Sequence, residues 1–394
     1  METVHQSPTD PDFVQNPYPR YVEWREKGPM VYWEDYKMVA TLAASVTNAI
    51  LKDRRFGREV PPEDAPTYPD RLKPFYDIEA HSMLELEAPK HTRLRRLVLR
   101  AFTSRRIASM GPEIEELSHS LIDKFPDEPF DLISEYGQPI PVIVICRLLG
   151  VPEEMAPQLL LWSNAMVSMY QARRTREIED AAAKASTEFT DFMRGYIEKR
   201  RKAPSDDLIT ELIRAEEDGD KLSSDEMITT CILLLNAGHE ATVHTIGNGA
   251  KALIENGNIP AWIGENSIEN TVEEVLRFDP PLQIFTRYAY EDVTMADHTF
   301  KRGDQIALML GHAGRDAQID DDLDLFDPTR HSPTHATFGG GLHFCVGAPL
   351  ARLELQISLR VLFERCPDLK IAEPAKYANL YHFHGLERLM VSKR

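Results

Sequence analysis

Apolar residues recur along most of the chain at the spacing that places them on one face of a helix. Two such stripes are formed by Leu94, Leu97, Val98, Ala101 and Phe102, and by Leu117, Leu121 and Ile122. Shorter runs of aromatic and β-branched residues beside turn residues predict strands at Met30–Trp33 and Lys37–Thr41, and others within 285–310. The fold class that this pattern predicts is mainly α with small β-sheets.

The longest predicted helix begins at Ser223. This residue and Glu226 have the spacing of a capping box, in which each side chain binds the backbone N–H of the other residue. The helix is predicted to continue to about Asn256, and Pro260 prevents it from going further. Because the middle of this segment carries almost no charge, we expect the helix to be buried.

The composition is that of a compact enzyme, with 42% hydrophobic and 27% charged residues. No repeat, low-complexity tract or Gly/Ser linker interrupts the 394 residues, so we expect a single domain over 1–394. No window is apolar for long enough to cross a bilayer, the first residues lack a signal-peptide pattern, and the four cysteines form no CxxC pair. The expected location is therefore cytoplasmic, with no membrane partner.

The net charge of −18 argues against nucleic acid as a partner, since binding to phosphates needs a basic surface. One segment departs from this acidic character. Between Lys90 and Arg106 there are seven Lys and Arg residues and no acid. This segment predicts a local basic surface on an acidic protein.

A glycine run, Gly339–Gly341, precedes Cys345, and a helix is predicted to start at Pro349. Glycines let the backbone approach a flat group closely. A cysteine just before a helix is surrounded by backbone N–H groups and the positive end of the helix dipole, which favour the thiolate. Such a thiolate could bind a soft metal ion, although a small buried cysteine beside a plain turn would give the same local pattern.

The whole run from Phe338 through His343 and Cys345 to Gly347 resembles the haem-binding signature of the cytochromes P-450. The resemblance implies the fold of that family, a single large domain that encloses haem b. It implies that Cys345 is the ligand of the haem iron, and that Phe338 and Gly347 lie against the cofactor. The thiolate of that family pushes electron density through iron and favours O–O cleavage.

Further motifs of the family occur in the expected order. Glu274 and Arg277 match its ExxR pair, and Arg330 is expected to be the third member. Taken alone, an ExxR pair would more simply be an ion pair on a helix surface. The segment Glu87–Arg95 resembles a further family motif, ExPxHxxxR.

The resemblance implies that four donor or cationic side chains hold the haem propionates, and these are His91, Arg95, Arg287 and His343. Together they could neutralise the carboxylates with charge-assisted hydrogen bonds. Each of them, considered singly, could instead be a solvated or core side chain.

The middle of the long helix resembles the oxygen-activation motif of the family. Ala237 is its small residue, Gly238 would leave room for dioxygen beside the iron, and Glu240 would serve proton delivery. Ala241 stands where the family has an alcohol, and Thr242 follows, rotated by about 100° around the helix. The proton route could therefore use Thr242, ordered water or a hydroxyl group of the substrate, and we favour water or substrate.

Arg93, Arg96 and Arg100 lie on a different face of their helix from His91 and Arg95. In the family this face is where the redox partner docks. The resemblance therefore implies an acidic electron donor, a ferredoxin or a flavodoxin-like protein, at these arginines. A merely solvated basic face is the alternative.

The expected substrate is a hydrophobic small molecule, because the segments that would face it by resemblance are apolar and aromatic with few polar groups. These segments are Phe75–Met83, Leu160–Tyr170, Leu234–Ala241, Leu282–Phe285 and Tyr381–His384. Any single apolar residue in them could equally belong to the core.

The function that these motifs predict is that of a monooxygenase, which uses O2 and electrons from its partner to insert one oxygen atom into the substrate. A peroxide-driven, coupling or desaturating enzyme on the same haem is an alternative, and so is a haem-based sensor without turnover. Glu240 and the basic face argue against the sensor, and the lack of an arginine near Glu240 argues against a dedicated peroxide-driven enzyme.

Overall fold

The computed structural model describes residues 1–171, 174–217, 222–257, 259–319, 321–331 and 334–393. Helices hold most of these residues, as the apolar spacing predicts. The α-helices are α1 Pro11–Gln15, α2 Tyr18–Glu26, α3 Ala44–Lys52, α4 Lys73–Glu79, α5 Lys90–Ala101, α6 Ser104–Ser109, α7 Gly111–Ile122, α8 Pro139–Leu149, α9 Ala156–Val167, α10 Arg176–Lys202, α11 Leu208–Glu217, α12 Ser224–Asn256, α13 Ile259–Trp262, α14 Ile268–Phe278, α15 Leu310–Ala313 and α16 Ala348–Arg365.

The strands are short, and the predicted ones at the start of the chain are confirmed. Their bounds are β1 Thr3–Val4, β2 Met30–Trp33, β3 Met38–Thr41, β4 Phe56–Gly57, β5 Phe130–Asp131, β6 Ile284–Ala289, β7 Val293–Met295, β8 His298–Phe300, β9 Gln305–Met309, β10 Lys370–Ile371, β11 Lys376–Tyr377, β12 Leu386–Arg388 and β13 Met390–Ser392. The largest sheet has the strand order β1-β2-β3-β9-β6-β4, and the others are β10-β13-β5, β11-β12 and β7-β8.

The chain forms two compact units, which we describe separately. The first unit comprises Met1–Asp64, Gly111–Gln138 and Ala241–Arg394, and the second comprises Ala65–Met110 and Pro139–Glu240. All of the strands given above belong to the first unit, and the second is helical. The single domain expected from the sequence stays a prediction.

The six-stranded sheet of the first unit is buried on both faces. Along β2, Met30 belongs to one apolar cluster, Val31 and Trp33 belong to the other, and Tyr32 packs against the first. This alternation is that of a strand whose successive side chains point to opposite faces. On the Trp33 face the cluster is aromatic, and the rings of Trp33 and Trp24 lie 5.0 Å apart. Packing on both faces therefore holds the sheet, and with it the ends of the loops that connect its strands, in fixed positions.

The start of α12 is formed by the predicted capping box. The backbone N–H of Glu226 donates to Ser223 Oγ (3.1 Å), and the backbone N–H of Ser223 donates to Glu226 Oε2 (2.9 Å). Arg93 on α5 donates to the same Glu226 carboxylate, with Nη1 at 3.1 Å from Oε2. Burial opposes the charge of Glu226, yet these hydrogen bonds outweigh it and lower the pKa of Glu226.

A fully buried ion pair joins α14 to the irregular segment that follows α15. Arg277 Nε and Nη2 each lie 2.7 Å from a carboxylate oxygen of Glu274, and both side chains are 0% exposed. The remaining donors of Arg277 bind the backbone carbonyls of Gly314, Leu323 and Leu325 at 2.7 to 2.9 Å. Since one guanidinium group binds three separate carbonyls, it fixes the path of the chain over 314–325.

Two further contacts extend this pair toward Cys345 along the chain. The backbone N–H of Asp327 donates to Glu274 Oε1 (2.8 Å), and Arg330 Nε lies 3.8 Å from Glu274 Oε2. The expected third member is thus beside the pair. An ion pair of this kind is structural rather than a solvated surface contact.

Among the described residues, no helix is both long enough and apolar enough to cross a membrane.

Replacing Glu274 with Ala should destabilise the protein by about 3–5 kcal/mol, because the buried Arg277 charge would lose its counter-ion. The measurement is the free energy of unfolding from urea denaturation of wild type and variant. Glu373→Ala is the matched control, since Glu373 pairs with Arg388 at 2.7 Å in an exposed position and its loss should cost far less. Equal effects of the two substitutions would contradict the structural role of Glu274.

Candidate functional site

Cys345 differs from the other cysteines in its exposure. Cys146, Cys231 and Cys366 are buried, whereas the Cys345 side chain is exposed. It lies just before α16, whose N-cap is Gly347, and its own backbone N–H donates to the carbonyl of Phe338 (2.9 Å). The thiol therefore stands open at the positive end of an 18-residue helix, where a thiolate is favoured.

Glycine is required at Gly341 in the loop before Cys345. Its φ is +64°, and a Cβ atom there would lie 2.3 Å from the carbonyl oxygen of Leu51 at the end of α3. No side chain fits between this loop and α3. The close approach fixes the loop against α3, as the glycine run predicts.

A polar clamp holds the loop from the opposite side. Arg352 on α16 donates to both oxygens of Glu273 (2.6 and 2.8 Å), and His335 Nε2 lies 3.1 Å from Glu273 Oε2. The Arg352 guanidinium also lies over the Phe338 ring, 4.6 Å from its centroid. Burial opposes the Glu273 charge, but the hydrogen bonds from Arg352 and His335 outweigh it and lower the pKa of Glu273 to about 2. Glu273 and Arg352 are thus both ionised at any ordinary pH.

The clamp was not predicted from the sequence. Glu273 precedes the ExxR glutamate by one residue, so its side chain points about 100° away around α14 and reaches the cysteine loop. The signal that could have found it is the pair of consecutive acids, 273 and 274, on a helix that is otherwise apolar on its buried side. The hydrogen bond of Glu273 to Arg352 is also the main reason why the pKa of Arg352 is raised.

The predicted propionate ligands of the first unit are Arg287 and His343. Arg287, on β6, is only 3% exposed and donates from Nη1 to the carbonyl of Thr286 (2.8 Å). Arg58 reaches Thr286 Oγ1 (3.2 Å), so a second guanidinium group lies at this strand. Burial, aided by Arg58, lowers the pKa of His382 to about 4, which keeps that ring neutral. His343 is half-buried in the 3-10 turn Gly341–His343.

The predicted propionate ligands of the second unit, His91 and Arg95, lie one turn apart on α5. His91 is 1% exposed and Arg95 is half-buried. Of the basic face, Arg93 is committed to Glu226, whereas Arg96 and Arg100 are exposed. The three arginines are therefore not equivalent.

The middle of α12 carries a stripe of partly exposed positions in a helix that is otherwise mostly buried. Its members are Leu233, Asn236, Ala237, Gly238, Glu240, Ala241 and His244. Around them, Leu235 and His239 are at most 2% exposed, and Thr242 is 6% exposed. These positions thus form a partly exposed face of α12, and Ala241 lies on it while Thr242 does not.

Gly238 sets how closely α12 packs on α8. A Cβ atom at Gly238 would lie 3.2 Å from the Ile145 side chain, a tighter contact than most side chains tolerate. This close packing holds the Glu240 segment of α12 in place.

The five predicted substrate segments include core residues. Tyr381 is 3% exposed and shares a 2.6 Å hydrogen bond with Tyr21, and His384 is 1% exposed. Leu282 and Phe383 pair in an antiparallel bridge, which brings two of the predicted segments together. Of the turn Tyr381–His384, only the middle residues are partly exposed.

The residues present fit the haem that the resemblance implies. An exposed thiol at a helix N-terminus offers a soft iron ligand, and a buried arginine, Arg287, offers a cation for a carboxylate. The open stripe on α12 is made largely of small residues at its centre, as a flat group with room for dioxygen would require.

Comparisons with known proteins agree with these observations. A sequence model described as Cytochrome P450 matches residues 267–372. The polyketide biosynthesis cytochrome P450 PksS of Bacillus subtilis is 35% identical over 100% of this chain and 99% of its own length. The vitamin D(3) 25-hydroxylase of Pseudonocardia autotrophica is 36% identical over 96% of this chain and 94% of its own.

A solved structure extends the comparison to the fold. P450BioI in complex with an acyl carrier protein ligated to hexadec-9Z-enoic acid is 34% identical and superimposes with a TM-score of 0.91. The match covers 97% of this chain and 99% of P450BioI. The similarity therefore spans essentially the whole length of both proteins.

Proposed function

The chain belongs to the cytochrome P450 family, has the fold of that family and is a haem-containing monooxygenase, and we propose that Cys345 ligates the iron of a haem b. The observation that carries this proposal is the exposed Cys345 thiol at the start of α16. When bound, the haem supplies the oxygen chemistry, which inserts one atom of O2 into the substrate. The protein supplies the ligand, the orientation and the protons.

The side chains proposed to bind the propionates are His91, Arg95, Arg287 and His343. Burial of Arg287 at 3% exposure supports its part, because a buried guanidinium group favours an anion beside it. We propose that Phe338, Gly347 and Ala237 would also lie against the haem. Arg352 holds Phe338 in place from behind.

The substrate is proposed to be a hydrophobic small molecule. The names of three similar proteins support a substrate of this kind. One is a cytochrome P450 of polyketide biosynthesis, another is a vitamin D(3) 25-hydroxylase, and P450BioI was solved with a fatty-acyl carrier protein. The apolar and small residues of the α12 stripe support such a substrate here. The cytoplasmic location expected from the sequence stays a prediction.

Carbon monoxide tests the iron ligand. The reduced protein under carbon monoxide should show the Soret band from which the family takes its name, because Cys345 would supply a thiolate ligand to the iron. Cys345→Ser should lose this band, and Cys366→Ser, which alters a cysteine at the far end of α16, should keep it. A Cys345→Ser variant that retained the band would overturn the assignment.

We propose that protons reach the oxygen site by way of Glu240 and ordered water or a substrate hydroxyl, and not through Thr242. Thr242 is 6% exposed and lies off the open stripe, whereas Ala241 and Glu240 lie on it. A proton donor must come within hydrogen-bond reach, directly or through one water. The buried Thr242 hydroxyl is poorly placed for this task.

Restoring the alcohol at position 241 tests this route. Ala241→Thr should raise the fraction of electrons recovered in product for substrates that lack a hydroxyl group, since the new hydroxyl can order the water. The measurement is product formed per NAD(P)H consumed, with substrates selected by the spin shift of the haem. Ala241→Val has the same shape without the hydroxyl and should show no gain. Equal coupling in all three proteins would contradict the proposed route.

We propose that an acidic ferredoxin or a flavodoxin-like protein docks at Arg96 and Arg100 on α5. Both side chains are exposed, they lie one helical turn apart, and Leu99 between them is 45% exposed. Arg93, included in the predicted face, is instead bound to Glu226 and contributes less. A patch with cations around an apolar residue suits a transient acidic partner.

Charge reversal tests the docking face. The double variant Arg96→Glu and Arg100→Glu should slow association with an acidic ferredoxin and reduce its dependence on ionic strength, because steering depends on opposite charges. Stopped-flow reduction at several salt concentrations measures both. The control double variant, Lys184→Glu and Arg194→Glu, makes the same total charge change at two exposed positions of α10. Unchanged rates in the double variant would show that the donor does not dock at Arg96 and Arg100.

A further inference from the structure

His239 is a buried histidine in the middle of the oxygen-activation motif, and the proposed function leaves it without a role. It is 2% exposed, and its Nδ1 lies 2.8 Å from the backbone carbonyl oxygen of Leu235, one turn earlier on α12. A carbonyl oxygen can only accept a hydrogen bond, so Nδ1 must carry the hydrogen. The other ring nitrogen, Nε2, is therefore a bare acceptor whenever the ring is neutral.

Nε2 of His239 faces a second acceptor. It lies 3.3 Å from Oε2 of Glu240, a separation within ion-pair range although the two groups are not aligned as an ideal hydrogen bond. A bare nitrogen and an ionised carboxylate repel each other, and burial leaves little water to screen them. The contact is attractive only when one proton lies on either the ring or the carboxylate.

Both attractive states hold the same number of protons. One is an imidazolium beside a carboxylate, and the other is a neutral imidazole that accepts from a carboxylic acid. They differ only in which atom carries the proton. The contact between His239 and Glu240 is thus made by one shared proton.

The two side chains differ in what they face. The Glu240 side chain is 19% exposed and lies on the open stripe of α12, whereas His239 is enclosed behind it. The hydrogen bond from Nδ1 to the carbonyl of Leu235 holds the His239 ring in this enclosed position. Glu240 is therefore the member that can deliver a proton.

We infer that His239 is the positioning residue that holds the Glu240 carboxylate on the open stripe and keeps it supplied with a proton. This inference rests on the proposed function, because it concerns the proton-delivering residue of the monooxygenase. The shared proton moves from Nε2 to Oε2 as the Nε2–H bond breaks and the O–H bond forms, which leaves the ring neutral, and Oε2 then passes this proton on. Solvent water then returns one proton to the pair.

The inference also accounts for the alanine at position 241. A chain that lacks the usual alcohol beside its acid has one fewer group to orient and recharge that acid. His239 both orients the Glu240 carboxylate and reprotonates it, from a buried position beside Glu240. The residue that reprotonates Glu240 is therefore its own neighbour on α12, and Thr242 is not required.

Nitrogen NMR of the histidine rings tests the shared proton without any turnover. The sample is the full-length, haem-loaded enzyme with 15N-histidine, reduced and bound to carbon monoxide so that it is diamagnetic. The resonances of His239 are those that disappear in His239→Gln. In wild type, Nδ1 should be protonated, and Nε2 should be shifted toward the protonated position relative to its position in Glu240→Gln.

Each result decides the question. A bare Nδ1, or an Nε2 shift that is the same in wild type and in Glu240→Gln, would overturn the inference. Glu255→Gln is the matched control, since it alters an acid of the same helix that pairs with Lys251, and the His239 resonances should not move. The carbon monoxide band of the same samples reports separately on the thiolate ligand, so failure of the proposed function and failure of this inference can be told apart.

Discussion

The buried ion pair between Glu274 and Arg277 is the interaction on which the segment leading to the Cys345 loop depends. Two charges without solvent exposure are tolerated only because all their partners are in place. Arg277 binds three carbonyls of 314–325, and Glu274 binds the N–H of Asp327, so one pair shapes the long irregular segment before the cysteine loop. Hydrogen bonds to the charged side chains of Glu274 and Arg277 hold this part of the chain in place.

The two adjacent acids of α14, Glu273 and Glu274, hold different parts of the chain around Cys345. Glu274 fixes the segment that leads to the loop, and Glu273 fixes the loop itself through Arg352 and His335. One helix thus supports the loop from inside the first unit, while Leu51 on α3 confines it at Gly341. The exposed Cys345 stands on a rigid support although its own side chain is open.

The sequence was sufficient to predict the features that depend on local pattern. The capping box at Ser223, the strands Met30–Trp33 and Met38–Thr41, and the helix after Cys345 follow from residue types at fixed spacings, and the structure confirms them. The family motifs led correctly to the family and the fold. What the sequence could not predict were contacts between distant segments, such as Glu273 with Arg352 and Arg93 with Glu226. Periodicity indicates which way a side chain points, and it does not indicate what it will meet.

The carboxylate of Glu226 has two structural roles. It caps the first turn of α12, and it also binds Arg93 on α5. The same side chain therefore holds the start of α12 and a residue near the start of α5. A substitution at Glu226 would fray one helix and release an arginine on the other at the same time. A change of Arg93 would therefore be coupled to the start of α12, although Arg93 lies on the same helix as the exposed Arg96 and Arg100.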